Sequence, residues 1–204
     1  MALLQEAPPR WFRHLCEATR ASGSLTRTSR NQLAPLRGRL ADLRPDLMAS
    51  GEGGSNQILV RPPWRIAARR RLTLARLPER RRMLWLRLED SDGTALCVAN
   101  LHATAHRPRR AAREVDRAAR TSLGWSGATP LVFGGDLNVR PAEDPALFET
   151  LRGGYGLTGT TPPQAIDHLL AHGLKIAEPP RTIGREVGSV KLSDHDPVVA
   201  RFVG

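Results

Sequence analysis

The feature that most constrains the fold is a short apolar run at residues 130–138 that ends in Gly134, Gly135, Asp136, Leu137 and Asn138. Such a run is typical of a buried β-strand. Because side chains alternate along a strand, Asp136 and Asn138 should emerge on the same side just past its end. The glycines lack a Cβ, so we expect them to leave room for a ligand there. A simple turn between a strand and a helix is the structural alternative, and the rest of the chain decides between the two.

The strands and helices around this run are predicted from hydrophobic periodicity and turn residues. In chain order they are a strand end at 3–6, helices at 11–19 and 36–43, a strand at 57–61, a meander of antiparallel strands over 66–101, a helix at 107–123, a strand at 131–135, a helix at 143–151, and strands at 165–170 and 197–203. This order predicts an α+β fold with two packed, mainly antiparallel β-sheets flanked by helices, a four-layer α/β/β/α sandwich.

The length and composition predict one globular domain over residues 1–204. With 204 residues and 40% hydrophobic content the chain can bury a sizeable core. No apolar run approaches the roughly 20 residues of a membrane span, and the start lacks the features of a signal peptide, so we expect a cytoplasmic protein. Cys16 and Cys97 lie far apart and without metal spacing, which argues against a disulfide framework or a zinc ribbon.

The net charge of +11 favours polyanionic partners such as nucleic acid. Lys175 and Lys191 are the only lysines, so arginine carries nearly all of the positive charge, and the abundance of Ala, Gly and Pro beside it is typical of a GC-rich coding bias. The charge therefore supports a phosphate-bearing substrate only weakly. The arginine runs at 69–71 and 80–82 could grip a nucleic-acid backbone, but most charge runs are solvated faces.

Five polar clusters lie at the edges of predicted strands, where active sites commonly collect. They are Gln5-Glu6, Asn100-Leu101-His102, Asp136-Leu137-Asn138, Asp167-His168 and Asp194-His195. Each alone has a structural explanation, such as a solvated strand end, a satisfied histidine or a turn residue. Their combination is much more specific than any single cluster.

In this order the clusters resemble the signature of the endonuclease/exonuclease/phosphatase superfamily, whose fold is that of deoxyribonuclease I, exonuclease III and the inositol-phosphate 5-phosphatases. The matching motifs are Gln5-Glu6, Asn100-Leu101-His102, Gly135-Asp136-Leu137-Asn138, Ile166-Asp167-His168 and Ser193-Asp194-His195-Asp196-Pro197-Val198. Residues 54–61 also look like the family's Gly-Asn-x-Ile-Leu-x-Arg strand. The resemblance covers essentially the whole chain.

The resemblance implies a Mg²⁺-dependent phosphoesterase, with Mn²⁺ as a substitute ion. Glu6 and Asp194 would hold the metal against a phosphate oxygen, and Asp136 would orient or deprotonate the attacking water. Carboxylates suit such a hard cation, which can act as a Lewis acid and a template for in-line attack. We expect a phosphodiester, foremost in nucleic acid, as the substrate.

The same resemblance gives roles to six further residues. Asn138 and His102 would donate hydrogen bonds to phosphoryl oxygens, and Asp167 would pair with His195 and keep its ring protonated. Asn56 and Asn100 are predicted to contact the substrate.

One family element has no counterpart in the sequence. The family begins with a strand ending in an asparagine near the metal, followed by a helix, whereas this chain starts at the Gln-Glu strand. We therefore expect an N-terminally truncated form of the fold, or a misplaced start codon. A non-catalytic remnant that binds nucleic acid or other polyanions through its arginines is the alternative function.

Overall fold

The computed structural model describes residues 1–28, 54–77, 79–159 and 161–204. The strands are β1 (Ala2–Ala7), β2 (Ser22–Arg27), β3 (Ser55–Val60), β4 (Arg65–Ala75), β5 (Arg81–Glu89), β6 (Ala95–His102), β7 (Leu131–Asp136), β8 (Asp167–His172), β9 (Lys175–Thr182), β10 (Glu186–Val187), β11 (Val190–Lys191) and β12 (Val198–Val203). The helices are α1 (Trp11–Thr19), α2 (Pro108–Ser126) and α3 (Pro145–Glu149), and a π-helical turn (Thr150–Gly154) follows α3. Within the described ranges, no helix is long and apolar enough to cross a membrane.

The largest sheet has five strands in the order β4-β5-β6-β7-β8. All neighbouring pairs are antiparallel except β6 and β7, which run parallel. The crossover between these two strands is α2, as parallel strands require. Consequently β6 and β7 end at the same edge of the sheet, and the antiparallel β8 begins there.

Both faces of this sheet are buried, which explains the continuous apolar runs of its central strands. Along β7, Leu131 and Phe133 pack with the apolar stripe of α2, whereas Val132 faces the opposite way. That opposite face packs against β3 of a second sheet through Ile58 and Val60. The run at 130–138 is therefore a buried central strand, as its pattern predicts.

The second sheet has the order β1-β3-β2, with both pairs antiparallel. Helix α1 covers its outer side, where the ring of Phe12 approaches the backbone at Gly23 so closely that a Cβ there would lie 3.0 Å from it. β9 and β12 form a separate antiparallel pair, and Phe202 of β12 packs against the core between the sheets. The layers run from α1 through the two sheets to α2.

Two strands lack the hydrophobic alternation that would predict them. In β2 the buried positions are the small polar residues Ser24 and Thr26, so its inward face is not apolar. β9 contains Pro179 and Pro180, which in sequence argue against a paired strand, yet it pairs with β12 through the residues on either side of these prolines. The helix predicted at 36–43 lies outside the described residues.

The helix predicted at 143–151 is shorter than expected. Asp144 caps α3 by accepting a hydrogen bond from the backbone N–H of Leu147 at 3.0 Å, and Pro145 occupies the first turn. The α-helix then ends at Glu149 and continues as the π-helical turn.

Candidate active site

Three polar side chains lie in a row across the edge of the five-stranded sheet. In the strand register His102 is paired with Asp136, and Asp136 with Asp167. His102 ends β6, Asp136 ends β7 and Asp167 begins β8. His102 Nε2 lies 3.4 Å from Asp136 Oδ2. We call these three residues the strand row, because hydrogen-bonded backbone fixes all of their Cα positions.

Gly134 and Gly135 of β7 allow close packing of the neighbouring strands rather than access of a ligand. A Cβ at Gly134 would lie 2.2 Å from the backbone oxygen of His168, and one at Gly135 would lie 2.1 Å from that of Leu101. Gly135 also has a φ of 122°, a conformation that side chains disfavour. The expectation that these glycines leave room for a ligand is wrong, because the neighbouring strands fill the space.

Asn138 joins the two loops that follow β6 and β7. Its backbone N–H donates to Asp136 Oδ1 at 2.9 Å, and its side-chain Nδ2 donates to the Ala103 oxygen at 3.1 Å. Its φ of 51° is left-handed, which asparagine tolerates better than most residues. Backbone strain of this kind is concentrated at functional sites. Asn138 is half-buried at the edge of the strand row.

His195 reaches the strand row from the loop at 193–197. Its Nδ1 lies 2.5 Å from Asp167 Oδ2, and its Nε2 lies 3.9 Å from Asp136 Oδ2. The predicted pairing of Asp167 with His195 is therefore present as a close contact. Asp194 Oδ1 lies 3.4 Å from His195 Nε2, but the Asp194 side chain is 90% exposed.

Burial shapes the electrostatics of the two strand-borne carboxylates. Burial, reinforced by the charge of Asp167, raises the pKa of Asp136 to about 7. Burial also raises the pKa of Asp167, although the neighbouring His195 opposes this shift. Asp167 Oδ1 is buried and has no hydrogen-bond partner among the described residues. This carboxylate pair is thus poorly compensated and would gain from a cation or a proton.

The two histidines of the site have opposite preferences. Burial, with the charge of Arg81 second, lowers the pKa of His102 to about 3, so its ring is neutral at physiological pH. Burial also disfavours the charged ring of His195, but the carboxylates of Asp167, Asp136 and Asp194 together raise its pKa above the ordinary value. Neutral His102 and His195, which favours its protonated form, therefore both face the carboxylate of Asp136.

Glu6 enters the site from the other sheet. It lies near the end of β1, at a register irregularity, with a left-handed φ of 54°. Glu6 Oε1 is 3.5 Å from His102 Nδ1 and 3.7 Å from Arg81 Nη1, and the side chain remains 68% exposed. The second sheet therefore contributes one carboxylate on the far side of His102 from Asp136.

The group that could hold a metal ion differs from the predicted one. Asp136, Asp167 and His195 offer ligand atoms that all lie within 4.8 Å of one another. Neither Glu6 nor Asp194 belongs to such a group among the described residues. The metal-binding roles of these two residues remain predictions, while the structure brings together a different set.

The predicted substrate contacts of Asn56 and Asn100 do not fit their positions. Both side chains are fully buried. Asn100 Nδ2 donates to the backbone oxygens of Leu4 and Gln57, and its Oδ1 accepts from Gln5 Nε2, so it ties β6 to the second sheet. Asn56 Nδ2 donates to the Arg82 oxygen at 2.7 Å. As placed, neither can reach a substrate, and we assign both a structural role.

Arg81 is a site residue that its sequence pattern does not reveal. An arginine run predicts a solvated side chain, but Arg81 is only 7% exposed, and its Nη1 lies 2.9 Å from His102 Nδ1. Strand alternation gives no signal for it, because Leu84 and Leu86 on one face of β5 are as buried as Met83 and Trp85 on the other.

Comparison with known proteins identifies the fold. No protein-family model matches the chain, and no curated protein matches it in sequence. Among solved structures, the endonuclease/exonuclease/phosphatase from Bacteroides vulgatus has a TM-score of 0.67 and 18% identity, covering 98% of this chain and 83% of its own. The mannosyl-6-phosphatase of Bacteroides thetaiotaomicron has a TM-score of 0.68 and 15% identity, covering 98% and 84%. D. rerio TDP2 in complex with a single-strand DNA product has a TM-score of 0.68 and 14% identity, covering 99% and 85%.

At these identities the likeness shows the fold. The chain has the fold of endonuclease/exonuclease/phosphatase proteins, which confirms the resemblance seen in its motifs and the predicted α+β sandwich.

Proposed function

We propose that this protein is a divalent-metal-dependent phosphoesterase that hydrolyses a phosphodiester of nucleic acid by direct attack of water. The observation that carries the proposal is the convergence of Asp136, Asp167 and His195 beside a neutral His102 at one sheet edge. The fold alone does not establish an activity, because one fold can host many functions. The side chains at this edge are those that a phosphoryl-transfer site requires, namely carboxylates, a proton donor and neutral hydrogen-bond donors.

The roles of the protein side chains follow from their positions. Asp136, which lies between His102 and Asp167 in the strand row, would orient the attacking water and accept its proton. His195, held by Asp167 at 2.5 Å, would face the phosphoryl group in its protonated form and stabilise the charge that develops there. His102 and Asn138 would donate hydrogen bonds to phosphoryl oxygens.

The donor set fits a hard cation. A buried carboxylate, Asp136, and a half-buried one, Asp167, lie together with raised pKa values, and Asp167 Oδ1 is buried without a described partner. Asp136 and Asp167 would hold the ion, and Glu6 lies across His102 from them. When bound, Mg²⁺ or Mn²⁺ would supply Lewis-acid polarisation of a phosphate oxygen. Ligation would also favour ionised Asp136, so the raised pKa describes the metal-free protein.

Nucleic acid as the substrate is supported by a group of arginines at the start of α2. A cavity of about 950 Å³ is lined by Arg107, Arg109, Arg110 and Arg113, at the start of α2. Glu143 and Asp144, in the loop after β7, also line it. This arrangement places arginines near the edge where β6 and β7 end. The DNA product bound by TDP2, which has the same fold, is consistent with this choice.

The test is hydrolysis of bis-p-nitrophenyl phosphate and of end-labelled single-stranded and double-stranded oligonucleotides. We expect activity with Mg²⁺ or Mn²⁺, complete loss with excess chelator, and a fall by orders of magnitude in Asp136→Ala and His195→Ala. The inactive variants, purified in the same way, exclude a contaminating nuclease as the source of activity.

Full activity in excess chelator would contradict the metal assignment. Hydrolysis of bis-p-nitrophenyl phosphate without cleavage of any oligonucleotide would contradict the nucleic-acid substrate. Tight oligonucleotide binding without hydrolysis under any metal condition would favour the non-catalytic binding protein instead.

A further inference from the structure

Arg81 is the most deeply buried of its three consecutive arginines, and its contacts converge on the candidate site. Its Nη1 lies 2.9 Å from His102 Nδ1 and 3.7 Å from Glu6 Oε1. Its Nη2 lies 2.8 Å from Glu79 Oε2. The guanidinium therefore links an exposed carboxylate outside the site with the histidine and the carboxylate inside it.

The chemistry of this contact bears on which ring nitrogen of His102 carries the proton. A guanidinium has five N–H donors and no acceptor. One ring nitrogen must therefore accept from Arg81, and both lie within hydrogen-bond distance of its Nη1, Nδ1 at 2.9 Å and Nε2 at 3.1 Å. The nearer nitrogen, Nδ1, is the better placed acceptor. A neutral imidazole carries one proton, which lies on Nε2 when Nδ1 accepts. Nε2 is the nitrogen that faces Asp136 Oδ2, at 3.4 Å.

We propose that Arg81 is a positioning residue that holds His102 in the Nε2–H tautomer and orients that N–H toward the centre of the site. The catalytic part of this inference rests on the proposed phosphoesterase function, whereas the tautomer does not. His102 could then donate to Asp136 in the resting protein and to a phosphoryl oxygen when substrate is bound. Without Arg81, the Nδ1–H tautomer would become available and could donate to Glu6 Oε1, 3.5 Å away.

Arg81 itself is unlike a direct substrate ligand. Only 9% of its side chain is exposed, and both Nη atoms already have partners in the protein. The neighbouring Arg82 provides a matched comparison, because alternation along β5 directs it to the opposite face. Arg82 lies near Arg80 and Arg71, whose like charges, after burial, lower its pKa.

The first experiment measures the tautomer directly and does not depend on activity. Long-range ¹H–¹⁵N NMR of histidine-labelled protein distinguishes the two ring nitrogens, and His102→Gln assigns the His102 signal. We expect a single Nε2–H tautomer in the wild type and in Arg82→Met, and a mixture or the Nδ1–H form in Arg81→Met. Arg81→Lys, which keeps a donor, should retain the Nε2–H form. An unchanged tautomer in a folded Arg81→Met protein would overturn the proposal.

The second experiment is kinetic. Arg81→Met should lower kcat roughly 10–100-fold, as is common when the partner that orients a site residue is lost, while KM changes little. Arg81→Lys should recover part of kcat, and Arg82→Met should resemble the wild type. In the His102→Gln background, Arg81→Met should have little further effect on kcat, because the imidazole through which Arg81 is proposed to act is already absent.

The experiments distinguish a failure of the proposed phosphoesterase function from a failure of the proposed role of Arg81. A wild type that hydrolyses nothing would end the proposed function, and the NMR result would still decide the role of Arg81. Conversely, an active enzyme in which the Arg81→Met and His102→Gln effects multiply would show that Arg81 acts independently of His102, and would overturn the proposal. Thermal melts of each variant would identify a loss of kcat that arises from unfolding.

Discussion

The strand row and the 193–197 loop both contribute to the site, but the protein holds them in different ways. His102 and Asp136 are more than 90% buried, and strand pairing sets their spacing. The side chains of Asp194 and His195 are 90% and 34% exposed. The loop follows the β10–β11 hairpin, where Val187 and Val190 are also exposed. Carboxylate and imidazole side chains are therefore held rigidly by paired strands in one half of the site and are accessible to solvent in the other.

This difference explains the contrasting electrostatics of the two histidines. Burial at the strand edge removes water from His102 and lowers its pKa, and the positive charge of Arg81 lowers it further. His195 keeps part of its hydration and lies 2.5 Å from Asp167, so its charged form is supported. The strand row therefore supplies neutral hydrogen-bond donors and carboxylates of raised pKa, and the loop supplies the protonated imidazole. Four predictions test this division, from the largest expected effect to the smallest.

Asp136→Asn should have the largest effect on activity. Its carboxylate is the proposed base, and an amide of the same shape cannot accept the proton, so hydrolysis should fall roughly 10²–10⁴-fold. The melting temperature near pH 7.5 should not fall, because the amide carries no buried charge. The measurements are bis-p-nitrophenyl phosphate turnover and a thermal melt.

Glu178→Gln is the matched control for Asp136→Asn, since it makes the same chemical change at an exposed carboxylate that pairs with Arg201. This control should keep wild-type turnover. Wild-type turnover in Asp136→Asn itself would remove the strand row from the mechanism.

Asp167→Asn should have the next largest effect, because it removes the carboxylate through which the strand row contacts His195 of the 193–197 loop. Without this carboxylate, the pKa of His195 should fall, so the ring should lose its proton at lower pH. The alkaline limb of the pH–rate profile should therefore move to lower pH, and turnover at neutral pH should drop roughly 10–100-fold. An unchanged profile would show that Asp167 and His195 are not coupled.

The sequence predicted the strand row because strand periodicity and residue order both constrain it. Asp136 follows an apolar run, and the motifs of His102 and Asp167 lie at other strand edges. Arg81 was missed because an arginine run indicates a solvated surface, and because both faces of β5 are buried, alternation does not show which arginine is enclosed.

Asn56 and Asn100 were misassigned because their motif membership says nothing about burial. The partners of Asn100, Leu4 and Gln57, are 96 and 43 residues away in sequence, so no local pattern shows that its amide is already used. The glycines of β7 were misinterpreted for the same reason. The backbone atoms that exclude a Cβ belong to neighbouring strands, and only the sheet topology brings them together.

The pH dependence of stability should show the buried charge of Asp136 in the metal-free protein. Its pKa is about 7 in the folded state and ordinary in the unfolded state, so the folded protein binds the extra proton between about pH 4 and 7. Stability should therefore fall as pH rises through this window, more steeply in the wild type than in Asp136→Asn. Melts in chelator from pH 4.5 to 7.5 would test this, and parallel curves would contradict a raised pKa.

Asp194→Asn should have the smallest effect, although the sequence predicted this residue as a metal ligand. The carboxylate is 90% exposed and lies 3.4 Å from His195 Nε2, and exposed ion pairs contribute only about 0–1 kcal/mol. Turnover should therefore change by no more than about fivefold, with a similar magnesium requirement. The experiment is a magnesium titration of turnover for Asp194→Asn beside Glu6→Gln, which changes the other predicted ligand. A loss in Asp194→Asn as large as that in Asp136→Asn, together with weaker magnesium binding, would show that the 193–197 loop closes onto the ion during the reaction. The division between a rigid and an accessible half would then hold only for the metal-free protein.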